Sequence, residues 1–92
     1  MENVVMNKRF WKDKKVLITG HTGLKGGWLS LWLMNSGAYV IGYALDPPTQ
    51  PSLFNLTRLD KRVASINGDI RNLEYLKSVI TEHKPEILIH MA

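Results

Sequence analysis

The sequence predicts an α/β fold in which a parallel sheet carries helices on its faces, and three observations predict it. Short runs rich in β-branched residues alternate with helical patterns along the chain. Several of those runs are apolar on both faces, as strands buried between layers are. A glycine-studded turn joins the first run directly to the first helical pattern.

Val16-Leu17-Ile18 is the first such run, closed by Thr19-Gly20. The turn Gly20 to Gly27 follows, and then a helical pattern in which Leu24, Trp28 and Trp32 lie four apart, with Leu31 on the same broad face. Leu29 and Leu33 form a second apolar line, so the helix is expected to pack on the sheet and on something else, with Trp28 and Trp32 as core residues. Gly37 suits a left-handed stop. Tyr39 to Ala44 reads as the second strand, with Asp46 just past its end. Pro47, Pro48 and Pro51 mark a loop, and Ser52 to Leu56 a short helical turn. Val63 to Ile66 reads as the third strand, ending at Gly68-Asp69. Asn72 is placed to cap a helix that sets Leu73, Leu76, Val79 and Ile80 on one face, and Lys84-Pro85 ends it. Ile87-Leu88-Ile89 is the fourth strand. Right-handed crossovers put the first strand in the centre, with the second and fourth beside it.

Composition narrows the function classes. The 92 residues suffice for one small domain, and 45% apolar with 22% charged residues is an ordinary globular balance. There is no cysteine, so neither a disulfide framework nor a thiolate metal site can form, in keeping with a cytoplasmic setting. No run approaches a membrane span and no signal peptide is visible. The net charge of +4 draws much of its excess from Lys8, Arg9, Lys12, Lys14 and Lys15. These read as a solvated lead-in, residues 1–14, ahead of a domain at 15–92. No nucleic-acid motif accompanies them, and no metal-ligand set is expected.

The turn Thr19-Gly20-His21-Thr22-Gly23-Leu24-Lys25-Gly26 spaces its glycines G-x-x-G-x-x-G. Gly20 supplies a backbone angle that side chains resist. Gly23 lets the backbone approach a pyrophosphate, and Gly26 lets the helix pack tightly on the strand. The helix start offers unpaired N–H groups and a positive dipole end to phosphates. Asp46 lies 20 positions after Gly26, where a carboxylate accepts hydrogen bonds from adenosine ribose hydroxyls and repels a 2′-phosphate. The pattern thus predicts a Rossmann-type, doubly wound sheet that binds NAD in preference to NADP, incomplete at about four strands and two main helices. Lys25 either offsets pyrophosphate charge or points to solvent. His21 either contacts the cofactor or is a polar turn residue.

The spacing resembles that of the extended short-chain dehydrogenase/reductase family. Gly68-Asp69-Ile70-Arg71 is similar to that family's adenine-contacting element, although alone it reads as a turn with Asp69 as helix cap. Ile89-His90-Met91-Ala92 is similar to the segment that passes beside the cofactor, although His90 alone reads as a core histidine. Within the family, residues 21–26, Trp28 to Leu33, Gly42 to Thr49 and Pro51 to Phe54 resemble the branch of CDP-glucose 4,6-dehydratases. Gly27 departs from the serine or other small residue expected there.

The resemblance implies cofactor contacts at Gly20, His21, Thr22, Gly23, Leu24, Lys25, Gly26, Asp46, Asp69, Ile70, Met91 and Ala92. It implies NAD as cofactor, CDP-glucose as substrate, a homo-oligomer at full length, and a product destined for surface polysaccharide. The reaction would oxidise C4, remove water across C5 and C6, and return the hydride to C6. Its base is a tyrosine with a lysine four residues on. Tyr39, Tyr43 and Tyr75 are followed at that position by Tyr43, Pro47 and Val79, so no catalytic residue is expected in this chain and the chain alone should be inactive. The sequence reads as an N-terminal part of the enzyme, with an open fourth strand prone to self-association. Two alternatives stand beside this reading: another enzyme of the family, such as a UDP-sugar epimerase or GDP-mannose 4,6-dehydratase, and a non-catalytic NAD-binding module.

Overall fold

A computed structural model describes residues 8–47 and 52–91. Ala92 and the prolines Pro48 and Pro51 of the expected loop lie outside the described residues. The elements in chain order are α1 (Lys8–Trp11), β1 (Lys15–Thr19), α2 (Leu24–Asn35), β2 (Tyr39–Ala44), α3 (Leu53–Leu56), α4 (Leu59–Arg62), β3 (Ala64–Asn67), α5 (Leu73–His83) and β4 (Ile87–His90). The strands form one parallel sheet in the order β3-β2-β1-β4. The first strand is therefore central, between the second and the fourth, as the crossover rule requires.

The central strand β1 and its neighbour β2 are the most deeply buried segments. Val16, Leu17, Ile18 and Ile41 have no exposed surface. Alternation of side chains splits the core in two. Val16, Ile18 and Val40 face α2, meeting Leu33 and, at the edge, Trp32 and Leu29. Leu17, Ile41 and Tyr43 face α5, meeting Val79 with Leu76 and Ile80. One long helix on each face makes the sheet doubly wound. No helix among the described residues is long and apolar enough to cross a membrane.

The packed face of α2 differs from the one its large residues mark out. Its buried positions are Gly26, Gly27, Ser30 and Leu33. Leu24 and Trp28 instead stand 67% and 61% exposed, which corrects the expectation that Trp28 is core. The cause is proximity. A Cβ at Gly26 would fall on the carbonyl of Gly20, so backbone approaches backbone there and only a small residue fits. Ser30 tolerates burial because its Oγ donates to the Gly26 carbonyl at 2.7 Å. Helix α2 ends as expected, with Gly37 at φ 93° and its N–H donating to the Met34 carbonyl.

Two boundaries and one helix face also differ from expectation. Trp11, in the stretch read as a lead-in, is buried against the core beside Leu33 and Ala38. Asp13, in the left-handed region at φ 62°, turns the chain there and donates its N–H to the Gly37 carbonyl. Arg9, Lys12 and Lys15 are exposed, and Lys14 pairs with Glu86 at 3.6 Å and lies over the Phe10 ring. The third strand runs one residue later than predicted, because Val63 closes α4. Asn72 does cap α5, accepting from the Tyr75 N–H, but Leu73 is 62% exposed and only Leu76, Val79 and Ile80 turn inward.

The Gly20–Gly26 contact predicts an asymmetry between two substitutions. Gly26→Ala should lower the stability of the chain by more than about 2 kcal/mol, since its Cβ meets backbone that cannot yield cheaply. Gly23→Ala should cost under about 1 kcal/mol, since its Cβ would lie 3.7 Å from the Gly20 carbonyl oxygen, an ordinary contact. Urea denaturation midpoints of the two variants check this, and equal losses would contradict it.

Candidate functional site

A cleft of about 320 Å³ opens at the carboxyl ends of the strands. Each strand delivers a segment to it: Gly20, Thr22 and Gly23 after β1, Ala44 to Asp46 from the end of β2, Gly68 to Ile70 after β3, and Met91 after β4. Among the residues singled out from sequence, Gly20, Thr22, Gly23, Asp46, Asp69, Ile70 and Met91 share this cleft. This is where ligands bind in open doubly wound sheets, because loops from adjacent crossovers part there.

Backbone hydrogen bonds fix the floor. Gly20 donates to the Tyr43 carbonyl at 3.0 Å, Gly68 to Ala44 at 2.9 Å, and Met91 to Thr19 at 2.8 Å, extending each ladder past its strand. Gly20 makes the strand-to-helix reversal at φ 87°. Thr22 Oγ1 donates to the Leu45 carbonyl at 2.9 Å and ties the turn to the end of β2. The first helical bond of α2 runs from the Gly27 N–H to the Gly23 carbonyl, and no side chain caps the helix start. The amides of the first turn are therefore available to an anion.

Two carboxylates flank the cleft, in different states. Asp69 is gripped by Arg71, whose guanidinium reaches both carboxylate oxygens at 2.7 to 3.1 Å and whose N–H donates at 2.9 Å. These hydrogen bonds lower the Asp69 pKa to about 2. Asp46 is exposed; among the described residues it accepts a hydrogen bond from Asn67 Nδ2 at 2.7 Å and pairs with no cation. Asp46 thus retains acceptor capacity facing the cleft.

Four of the residues expected at the cofactor do not line the cleft, although Leu24, Lys25 and Gly26 make up the first turn of α2. Leu24 and Lys25 are exposed, and their side chains line a hollow on the outer side of α2 with Trp28, Leu29 and Trp32. Gly26 serves the helix-to-turn contact and does not line the cleft. His21 is fully buried, its ring seated over Gly42, where any Cβ would collide with it. Its Nε2 shares a 2.8 Å hydrogen bond with Ser65 Oγ, Phe54 meets it edge-on at 5.3 Å, and Nδ1 has no hydrogen-bond partner among the described residues. Desolvation lowers its pKa to about 4. It braces the turn from beneath. His90 is not a core histidine either: it is exposed and shares a 2.7 Å hydrogen bond through Nδ1 with Thr19 Oγ1.

Three participants escaped the sequence reading. Tyr43 is fully buried and donates its hydroxyl to the Asp69 carbonyl at 2.8 Å, holding the third loop down. Asn67 meets Asp46, and Ser65 meets His21. A polar residue inside each short β3 run was the available signal, since strand neighbours 21 and 44 positions away were invisible without the sheet register.

Residues 17–92 match the GDP-mannose 4,6 dehydratase family. Over 88 residues the chain is 57% identical to CDP-glucose 4,6-dehydratase of Salmonella typhimurium, covering 96% of this chain and 24% of that protein. Among solved structures, epimerase Mth375 of Methanothermobacter thermautotrophicus superposes with a TM-score of 0.71 at 28% identity, over 97% of this chain and 26% of that one. The dTDP-glucose 4,6-dehydratase of Bacillus anthracis in complex with NAD shares the fold, with a TM-score of 0.71 at 23% identity, over 86% of this chain and 26% of that one. The chain spans about a quarter of the length of the proteins it matches.

The buried histidine predicts a pH dependence. Folded His21 stays neutral down to about pH 4, while the unfolded chain takes up the proton near 6.5. The unfolded state then binds more protons between these values, so stability is full above 6.5 and falls as pH drops through the window. Between pH 7 and 4.5 the loss should be roughly 2 kcal/mol. Asp69 contributes below that window, since its stabilisation is present above its ordinary value of 3.8 and is lost towards about 2. Denaturant titrations of the wild type and His21→Gln across pH 4.5 to 7 check this. The variant should lose most of the slope, and an unchanged slope would contradict the assignment.

Proposed function

Because the chain belongs to the GDP-mannose 4,6 dehydratase family, we propose that it forms the NAD-binding part of a nucleotide-sugar 4,6-dehydratase acting on CDP-glucose. The observation that carries this reading is the convergence of the glycine turn, the uncapped start of α2, Asp46 and Asp69 on one cleft. The 57% identity to the Salmonella enzyme supports the CDP-glucose branch over an epimerase.

The cleft fits a dinucleotide in charge and in shape. The amides at the start of α2 suit the pyrophosphate, and Gly23 leaves its path clear of side chains. Asp46 suits the adenosine ribose, and the absence of a cation paired to it among the described residues disfavours a 2′-phosphate. Leu45 and Ile70 offer apolar surface to the adenine. Asp69 already spends its carboxylate on Arg71, so its contribution is the shape of the loop held by Tyr43. When bound, NAD would supply the hydride acceptor and donor for a sugar that is oxidised at C4 and reduced at C6.

This chain's residues bind and orient, and none of them carries the proton transfers. No tyrosine here has a lysine four positions on. In this reading residues 15–92, with Trp11 packed on their core, are the N-terminal part of the cofactor domain. The full-length enzyme is a cytoplasmic homo-oligomer that feeds polysaccharide synthesis.

Calorimetric titration tests the proposal. NAD should bind the chain at least about tenfold more tightly than NADP, and Asp46→Ala should weaken NAD by about tenfold and narrow that preference. Incubation with CDP-glucose and NAD should yield no 4-keto product. Failure of NAD to bind, or turnover by the chain alone, would overturn the assignment.

A further inference from the structure

We infer that Asn67 is a positioning residue for cofactor selection, acting through Asp46; the inference rests on the NAD-binding reading above. The sheet brings the two together. Asn67 is the last residue of β3 and pairs in register with Ala44, two positions before Asp46. The next residue, Gly68, donates to the Ala44 carbonyl at 2.9 Å, so the β3 end is anchored to β2 just where the Asn67 side chain rises. From that anchored base Nδ2 donates to Asp46 Oδ1 at 2.7 Å.

The geometry of this contact decides what it does. Asp46 lies in a bend beyond the end of β2, without a regular ladder of its own. Among the described residues the side chain that meets it is Asn67, which is neutral. A lysine or arginine there would also fix the carboxylate, but it would cancel the charge and welcome a 2′-phosphate. An amide donor restrains the rotation of the carboxylate and leaves its charge intact. It takes one acceptor site and leaves the others for a vicinal diol. Asn67 thus reduces the ordering cost of ribose binding and preserves repulsion of a phosphorylated ribose.

A double-mutant cycle on the 92-residue chain tests this, with ADP and 2′-deoxy-ADP as probes of the ribose hydroxyl. In the wild type ADP should bind more tightly than the deoxy ligand. Asn67→Ala should weaken ADP about three- to tenfold and leave 2′-deoxy-ADP within about twofold. Asn67→Ser, which retains a hydroxyl donor, should recover part of the loss. In an Asp46→Ala background, Asn67→Ala should have no further effect on either ligand. A wild type that binds NAD while Asn67→Ala leaves the ADP to deoxy ratio unchanged would overturn this inference alone. So would an Asn67→Ala loss that persists in the Asp46→Ala background, since that is the mark of a general structural role. A wild type that binds neither NAD nor ADP would overturn the inference together with the reading beneath it.

Discussion

At the turn after β1, the carbonyl of Gly20 and the Cα of Gly26 lie so close that no side chain can come between them. That contact fixes where helix α2 begins relative to the ends of the strands. Because α2 starts there, its N-cap residue Gly23 lines the cleft, and no side chain caps the amides that follow. Because the approach is so close, the buried stripe of the helix must be small, which is why Gly26, Gly27 and Ser30 occupy it. The larger Leu24 and Trp28 are left outside. A constraint on one pair of backbone groups thus propagates to the composition of a helix face and to the electrostatics of a site.

Around that fixed point the cleft is held by polar contacts between loops. Thr22 to Leu45, Tyr43 to Asp69 and Asn67 to Asp46 each join segments that follow different strands. Each contributes about 1 kcal/mol or less to stability, more where a carboxylate accepts. Their larger effect is on order, since loops at the mouth of a parallel sheet would otherwise move independently. His21 belongs to the same scheme from below. Its ring fills the space that Gly42 vacates and reaches Ser65 on the next strand, so the turn rests on the sheet through a buried neutral imidazole.

The fold was legible because its signals are local. Strand runs such as Val16-Leu17-Ile18, the capping Asn72 and the stop at Gly37 each act within a few residues of themselves. The order of the strands followed from handedness alone. The site was legible in its glycines and in Asp46, whose roles depend on position along one strand-turn-helix unit. What sequence periodicity misread was the face of α2. Apolar patterning weighs large side chains, and the packed stripe of this helix is made of residues with little or none. The sequence reading of Gly26 as a close-packing residue already contained the correction, since a helix that touches a turn at Gly26 also buries Ser30 and Leu33. Trp11, Ser65 and Asn67 were missed for a different reason. Their partners lie far along the chain, and only the register of the sheet brings them together.

The central claim is that the start of α2, placed by the Gly20–Gly26 contact, meets the negative linker of a dinucleotide. Backbone amide NMR during titration with NAD addresses it residue by residue. The account predicts the largest shifts at the amides of Gly20 to Gly26, with further shifts at Asp46, Asp69 and Ile70, and little change from Trp28 to Trp32. Shifts concentrated in that outer tryptophan hollow, with the glycine turn unmoved, would contradict it.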